Sequence, residues 1–203
     1  ELGDYESAKA DFYKAISMDP KNYDRLIEIY EALADYGYRE VGQEYLQNVL
    51  NTDKKLDAYD SGRIYYYLGD YQKAYLALEE AKGKGGVDSY LYLGKAYAAT
   101  GDYNYASSVY SNYLSKQGPD AEIYNQLGLC EMAKKDYQKA LEAFQAGKQI
   151  EGNSLMQTLS FNEIVAYEYL QDYQKAAVLL KAYLQNYPDD QAAIREQQFL
   201  STR

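Results

Sequence analysis

Few residues of this 203-residue chain have side chains that do chemistry. Cys130 is the one thiol, and the adjacent carboxylates Glu79-Glu80 and Asp189-Asp190 are the pairs suited to proton exchange or calcium. The run Gly83-Lys84-Gly85-Gly86 has the composition of a phosphate cradle, and 27 tyrosines offer phenol hydroxyls and flat rings. Histidine is absent, which removes the Ser-His-Asp and Cys-His systems, the neutral-pH imidazole shuttle and His-ligated metals. The other candidates fail on spacing. A lone cysteine forms neither an internal disulfide nor a thiolate cage, and between Leu129 and Glu131 in a helical run it reads as a small buried hydrophobe. The carboxylate pairs lack EF-hand spacing, and the pair after Pro188 suits helix capping. The glycine run lacks the Gly-x-x-x-x-Gly-Lys-Ser/Thr pattern and leads into Asp88, so it reads as a flexible inter-repeat turn. No catalytic residue, metal site or cofactor is expected. The chain reads as non-enzymatic.

With that chemistry set aside, the tyrosines and the elements that position them remain. The turn Leu2-Gly3-Asp4-Tyr5 recurs as Leu68-Gly69-Asp70-Tyr71 and Thr100-Gly101-Asp102-Tyr103. It decays to Lys135-Asp136-Tyr137 and Gln171-Asp172-Tyr173, with Gly37-Tyr38 as a looser form. Three residues after each Tyr stands Ala8, Ala74, Ala106, Ala140 or Ala176, and Gly42 takes that place in the second unit. The steps between these small residues are 34, 32, 32, 34 and 36. Such self-similarity marks a helical repeat array. Within a unit, Tyr90, Leu93, Tyr97 and Ala98 fall at helical spacing, Gly101 suits a helix end and Asp102 the next N-cap; a second helical run follows from Tyr103 to Leu114. Gly118-Pro119-Asp120 ends that unit and opens another, as Pro20 and Pro188 do elsewhere. No segment carries a strand signal.

These motifs resemble the tetratricopeptide repeat (TPR) family, a helix–turn–helix unit of about 34 residues. The resemblance rests on Ser61-Gly62, Tyr65, Ala74 and Leu78; on Leu93-Gly94, Tyr97, Ala106 and Tyr110; and on Leu127-Gly128, Ala140 and Phe144. It implies an all-α, right-handed α-solenoid forming a single domain over 1–203. The half repeat would be 1–20, the repeats 23–53, 55–86, 87–118, 121–153 and 157–188, and the capping helix 191–203, with Ile194 and Phe199 inward and Arg195, Glu196 and Gln198 outward. The second unit departs from the pattern. Tyr30 replaces the first-helix Gly while Gly42 replaces the second-helix Ala, which moves bulk to one side of a close helix crossing. Tyr5, Tyr65, Tyr71, Tyr97, Tyr103, Tyr137, Tyr167 and Tyr173 fall at the family's packing positions. These eight of the 27 tyrosines are thereby explained by packing.

The family lines a concave groove with the inner stripe of each first helix. Carried onto this chain, the stripe begins with Asp24, Ile27, Glu31 and Asp35, three of them acidic. The candidate peptide-binding residues follow: Tyr59, Arg63, Tyr66, Tyr67, Lys95, Asn125, Leu129, Met132, Phe161, Val165 and Tyr169, with Leu91, Ala98 and Glu168 beside them. Affinity is expected from the aromatic members, with Arg63 and Lys95 orienting an acidic group. Arg63, Lys95 and Asn125 only partly echo the paired Lys and Asn of the family's carboxylate clamp.

The expected function is therefore protein–protein interaction by a scaffold that binds a protein or peptide partner. The alternatives are an architectural spacer or assembly module of a larger, surface-anchored protein, or the sensing part of a peptide-responsive regulator. A formal net charge of −10 argues against nucleic acid. No run reaches the roughly 18 apolar residues of a membrane helix, so no direct membrane insertion is expected. Glu1 opens mid-repeat, which leaves an apolar helix face available for a homodimer. It also leaves the compartment open: a soluble segment, cytoplasmic, or extracytoplasmic if an upstream signal or lipid anchor was removed.

Overall fold

A computed structural model describes residues 5–81, 84 and 86–203, with side chains from residue 9 onward. The turn at Leu2-Gly3-Asp4, the side chains of Tyr5 and Ala8, and the turn residues Gly83 and Gly85 lie outside the described residues. By internal contacts the chain divides into two compact bodies, Glu1–Gly85 and Gly86–Arg203. The first holds α1 (Tyr5–Met18), α2 (Tyr23–Asp35), α3 (Arg39–Thr52), α4 (Ala58–Tyr67) and α5 (Tyr71–Ala81). The second holds α6 (Val87–Ala99), α7 (Tyr103–Gln117), α8 (Ala121–Ala133), α9 (Tyr137–Lys148), α10 (Met156–Tyr169), α11 (Tyr173–Asn186) and α12 (Gln191–Leu200). Within each body every helix packs on the one before it, as in an all-α solenoid. Among the described residues there is no strand, and no helix is long and apolar enough to cross a membrane.

The repeated turn has one geometry throughout. Gly69 and Gly101 adopt φ of 80° and 84°, and the amide of the following Asp closes the helix end by donating to the carbonyls of Tyr65 and Tyr97. This is the six-to-one bond of a Schellman end. Lys135 and Gln171 occupy the same left-handed region, at φ of 64° and 63°. Asp136 and Asp172 there donate to the carbonyls of Glu131 and Tyr167. Each Asp then turns its side chain forward: Asp102, Asp136 and Asp172 accept from the amides of Tyr105, Lys139 and Lys175. One aspartate thus ends one helix and starts the next.

Helix pairs close on small residues. A Cβ on Gly62, Gly94 or Gly128 would stand 2.5 Å from Leu78, 2.2 Å from Tyr110 or 2.3 Å from Phe144. The space freed by each first-helix glycine is filled by the large side chain four residues beyond the second-helix alanine. Leu78, Tyr110 and Phe144 are fully buried there. In α2 and α3 the exchange is reversed, and a Cβ on Gly42 would lie 2.8 Å from Tyr30 Cδ2. Tyr30 is itself buried, with Leu26, Ile27, Ile29, Leu33, Leu46 and Val49, in the core of the first body.

The face of α12 differs from the sequence expectation. Ala193 and Leu200 are buried, whereas Phe199 is 39% exposed and Ile194 only half-buried. Seven residues bring a helix close to two full turns, so 193 and 200 share the stripe laid against the preceding helix. Phe199 and Glu196 are left at its rim.

Candidate functional site

The sequence-selected residues fall into two sets, one in each body. In the first body, α4 carries Tyr59, Arg63, Tyr66 and Tyr67. Arg63 is buried, with Nη1 donating to Asp24 Oδ1 and Nη2 to Asp60 Oδ1, both at 2.5 Å, and its guanidinium lies 4.3 Å from the centre of the Tyr59 ring. Burial pulls the Arg63 pKa down, but the carboxylates of Asp24 and Asp60 outweigh it and the net shift is upward. The cation expected to meet a partner's acid already carries two acids of its own chain.

Tyr66 and Tyr67 stand edge to face with ring centres 5.4 Å apart, Tyr67 meets Tyr30 at 5.2 Å and Tyr66 meets Tyr71 at 5.7 Å. The Tyr67 hydroxyl donates to Glu31 Oε1 at 2.6 Å. These rings, with Glu31, Asp35 and Arg39, line a cleft of about 430 Å³. Its walls are aromatic and its rim carries more acid than base.

In the second body, Lys95 on α6 lies 3.5 Å from Glu122 of α8, so this cation too is neutralised in the chain. Asn125 is buried and its Oδ1 accepts from Asn162 Nδ2 at 2.9 Å, joining α8 to α10. That contact is structural. Leu129 is 42% exposed, whereas Met132 packs against the core of α9 and α10. Phe161 is half-buried, 5.7 Å from the Tyr183 ring.

Val165 and Tyr169 on α10 border a second cleft, of about 520 Å³, closed by Glu168, by Tyr173 on α11 and by Glu196 and Phe199 on α12. Tyr169 is 56% exposed and stacks on Tyr137 at 4.8 Å. Burial, and next the Glu196 carboxyl beside it, push the Glu168 pKa up to about 8. Tyr173, Glu196 and Phe199 were outside the sequence-selected set. They enter the cleft because α12 turns its rim toward α10, which helical periodicity within α12 does not reveal.

The remaining chemical candidates are structural. Cys130 is buried, and burial followed by the neighbouring Glu131 raises its thiol pKa to about 12. Asp190 caps α12, accepting from the amides of Ala192 and Ala193. Buried Glu163 accepts from Lys148 Nζ at 2.5 Å and Gln145 Nε2 at 2.8 Å, and buried Glu131 pairs with Lys134 at 2.7 Å. Among the described residues no cluster of metal-binding side chains occurs.

Family models of the tetratricopeptide repeat match residues 91–154, 1–22 and 161–190. No curated protein matches the chain. Among solved structures, the chain is similar to YrrB, "a TPR protein with an unusual peptide-binding site", at 21% identity and a TM-score of 0.60 over 92% of this chain and 97% of that one. It is also similar to TTC0263, a thermophilic TPR protein of Thermus thermophilus, at 15% identity and a TM-score of 0.67 over 89% and 100%. MamA from Desulfovibrio magneticus RS-1 matches at 19% identity and a TM-score of 0.59 over 84% and 98%. At such identities the likeness speaks for the fold.

Proposed function

The chain belongs to the tetratricopeptide repeat family, and on that premise we propose that its role as a protein–protein interaction scaffold is carried out by holding a peptide segment of a partner against the aromatic faces of its first helices. One observation carries this reading. Each body presents a cleft walled by tyrosine or phenylalanine at the C-terminal end of a first helix: Tyr66 and Tyr67 on α4, Tyr169 on α10. Aromatic side chains give large contact area for little lost conformational freedom, and binding energy concentrates on them. The peptide-binding description of YrrB is in keeping with it. The two cations of the stripe, Arg63 and Lys95, are held by this chain's own carboxylates. Contact with the partner therefore falls to the rings and to the acids that remain outward.

A random peptide display library selected on the intact chain tests this. Selected peptides should lose about tenfold or more in affinity for the Tyr66→Ala or the Tyr169→Ala variant. Both variants should keep a thermal midpoint within about 4 °C of the parent, since neither side chain is fully buried. A library that yields no binder, or binders indifferent to both substitutions, overturns the peptide-groove reading.

A further inference from the structure

The cleft between α10, α11 and α12 joins two kinds of wall. Tyr169, Tyr173 and Phe199 supply ring faces and edges; Glu168 and Glu196 supply carboxyl groups from opposite helices. Oε1 of Glu168 is shut off from solvent, and the Glu168 carboxyl is hydrogen-bonded to that of Glu196 through a shared proton. Once that proton leaves, the charge on a shielded carboxylate oxygen is costly unless an outside donor reaches it. The same aromatic wall already receives a cation. The guanidinium of Arg203 lies 4.6 Å from the centre of the Phe199 ring and 5.8 Å from that of Tyr173, within the range of a cation–π contact. Arg203 covers two of the rings but does not border the cleft. Ring faces, paired carboxyls and a chain charge of −10 all favour a positive guest.

We propose that this cleft takes one basic side chain, lysine or arginine, of a partner polypeptide, its charged head between Glu168 and Glu196 and its stem or guanidinium plane against Tyr169, Tyr173 and Phe199. The assignment rests on the scaffold reading above and gives that scaffold a partner chemistry. It also makes binding proton-linked. The pair of carboxyls holds a proton near neutrality, Glu168 ionising only at about 8, and a cation between them favours its release. Affinity for a guest of constant charge therefore rises with pH. The charged and titratable groups around Glu168 are Tyr169 on its own helix, Tyr173 on α11, Glu196 on α12, and Arg203 over the far rings.

The test is a titration of the isotope-labelled chain with the peptide Ac-Gly-Gly-Arg-Gly-Gly-amide, and with its Lys, Glu and citrulline counterparts, followed by NMR. The Arg and Lys peptides should shift the ring signals of Tyr169 and Tyr173, and the Glu and citrulline peptides should not. Affinity for the Arg peptide should increase several-fold between about pH 6 and pH 9. It should fall about tenfold or more in the Glu168→Gln/Glu196→Gln variant, which keeps the volume of both side chains. Equal binding of the Glu peptide, pH-independent affinity, or full binding by the double variant would each overturn the assignment. Failure here is separable from failure of the scaffold reading: library peptides that are not basic, yet depend on Tyr66, leave the scaffold standing without this guest.

Discussion

Arg63 shows what a helical pattern conveys about a side chain and what it does not. Spacing along α4 places it on the same face as Tyr59, Tyr66 and Tyr67, as expected from the sequence. Its partner Asp24 lies 39 positions earlier on another helix, and no local pattern discloses that ion pair. The pairing changes the consequence of substitution. Arg63 is 8% exposed in its side chain and Asp60 18%, while Asp24 is 74% exposed. The network is therefore intermediate between a buried and a surface ion pair. Arg63→Ala should cost about 2–3 kcal/mol in urea unfolding, because Asp60 is left half-buried without its counter-charge. An Arg63→Met change should cost less, since it keeps most of the packing of the aliphatic stem, and Asp24→Asn less still. The two carboxyls of the second cleft were legible only in part: Glu168 falls on the first-helix stripe, whereas Glu196 on α12 read as solvent-facing.

At the scale of the helix and its turns, most of the fold was legible because the turn chemistry repeats. At 69–71 and 101–103 Gly-Asp-Tyr marks the turn within a repeat in residue types whose geometry is known: a left-handed glycine, a capping aspartate and an aromatic that packs back. The decayed turns show that geometry outlasting its residues. Lys135 and Gln171 hold φ of 64° and 63° without being glycine, at a cost of about 1–2 kcal/mol each for the crowded Cβ. Replacing either by glycine removes that strain but gives the unfolded chain more freedom. The balance should stabilise the chain by about 0.5–1 kcal/mol per site, additively, since the two turns are separate. Denaturation midpoints of Lys135→Gly, Gln171→Gly and the double variant check this; a loss of stability would mean that the lysine and glutamine side chains contribute contacts of their own. The α12 face was the part of the fold least legible, because its neighbours, not its own periodicity, choose which stripe is buried.

For the molecule as a whole, stability should peak in mildly acidic solution. Asp53, Asp70, Asp136 and Asp190 all have pKa values lowered, chiefly by side-chain hydrogen bonds from Tyr23, Lys73, Lys139 and Tyr183. A lowered carboxyl pKa adds stability above the ordinary aspartate range that is lost as pH falls through it. Glu168 works in the opposite sense. Its carboxyl is raised from 4.5 to about 8, so its stabilising protonated form is complete below about pH 4.5 and is lost as pH rises through 8. Thermal midpoints should therefore be highest near about pH 4–5 and decline as pH rises to about 8. Glu168→Gln should flatten the alkaline decline, raising the midpoint at pH 9 by about 2–4 °C while leaving the acid limb unchanged. An unchanged alkaline slope would show that Glu168 ionises without cost to the fold.

Cys130 follows from the same packing and gives the molecule a clock. With its pKa at about 12, only about one thiol in ten thousand is ionised at pH 8, and its side chain is closed off in α8. A thiol-reactive dye can reach it only when that helix parts from its neighbours. The rate of colour development then counts opening events at the middle of the second body, with no label introduced and no second cysteine to blur the signal. Under conditions where reclosing outpaces the dye, that rate converts directly into the free energy of the opening.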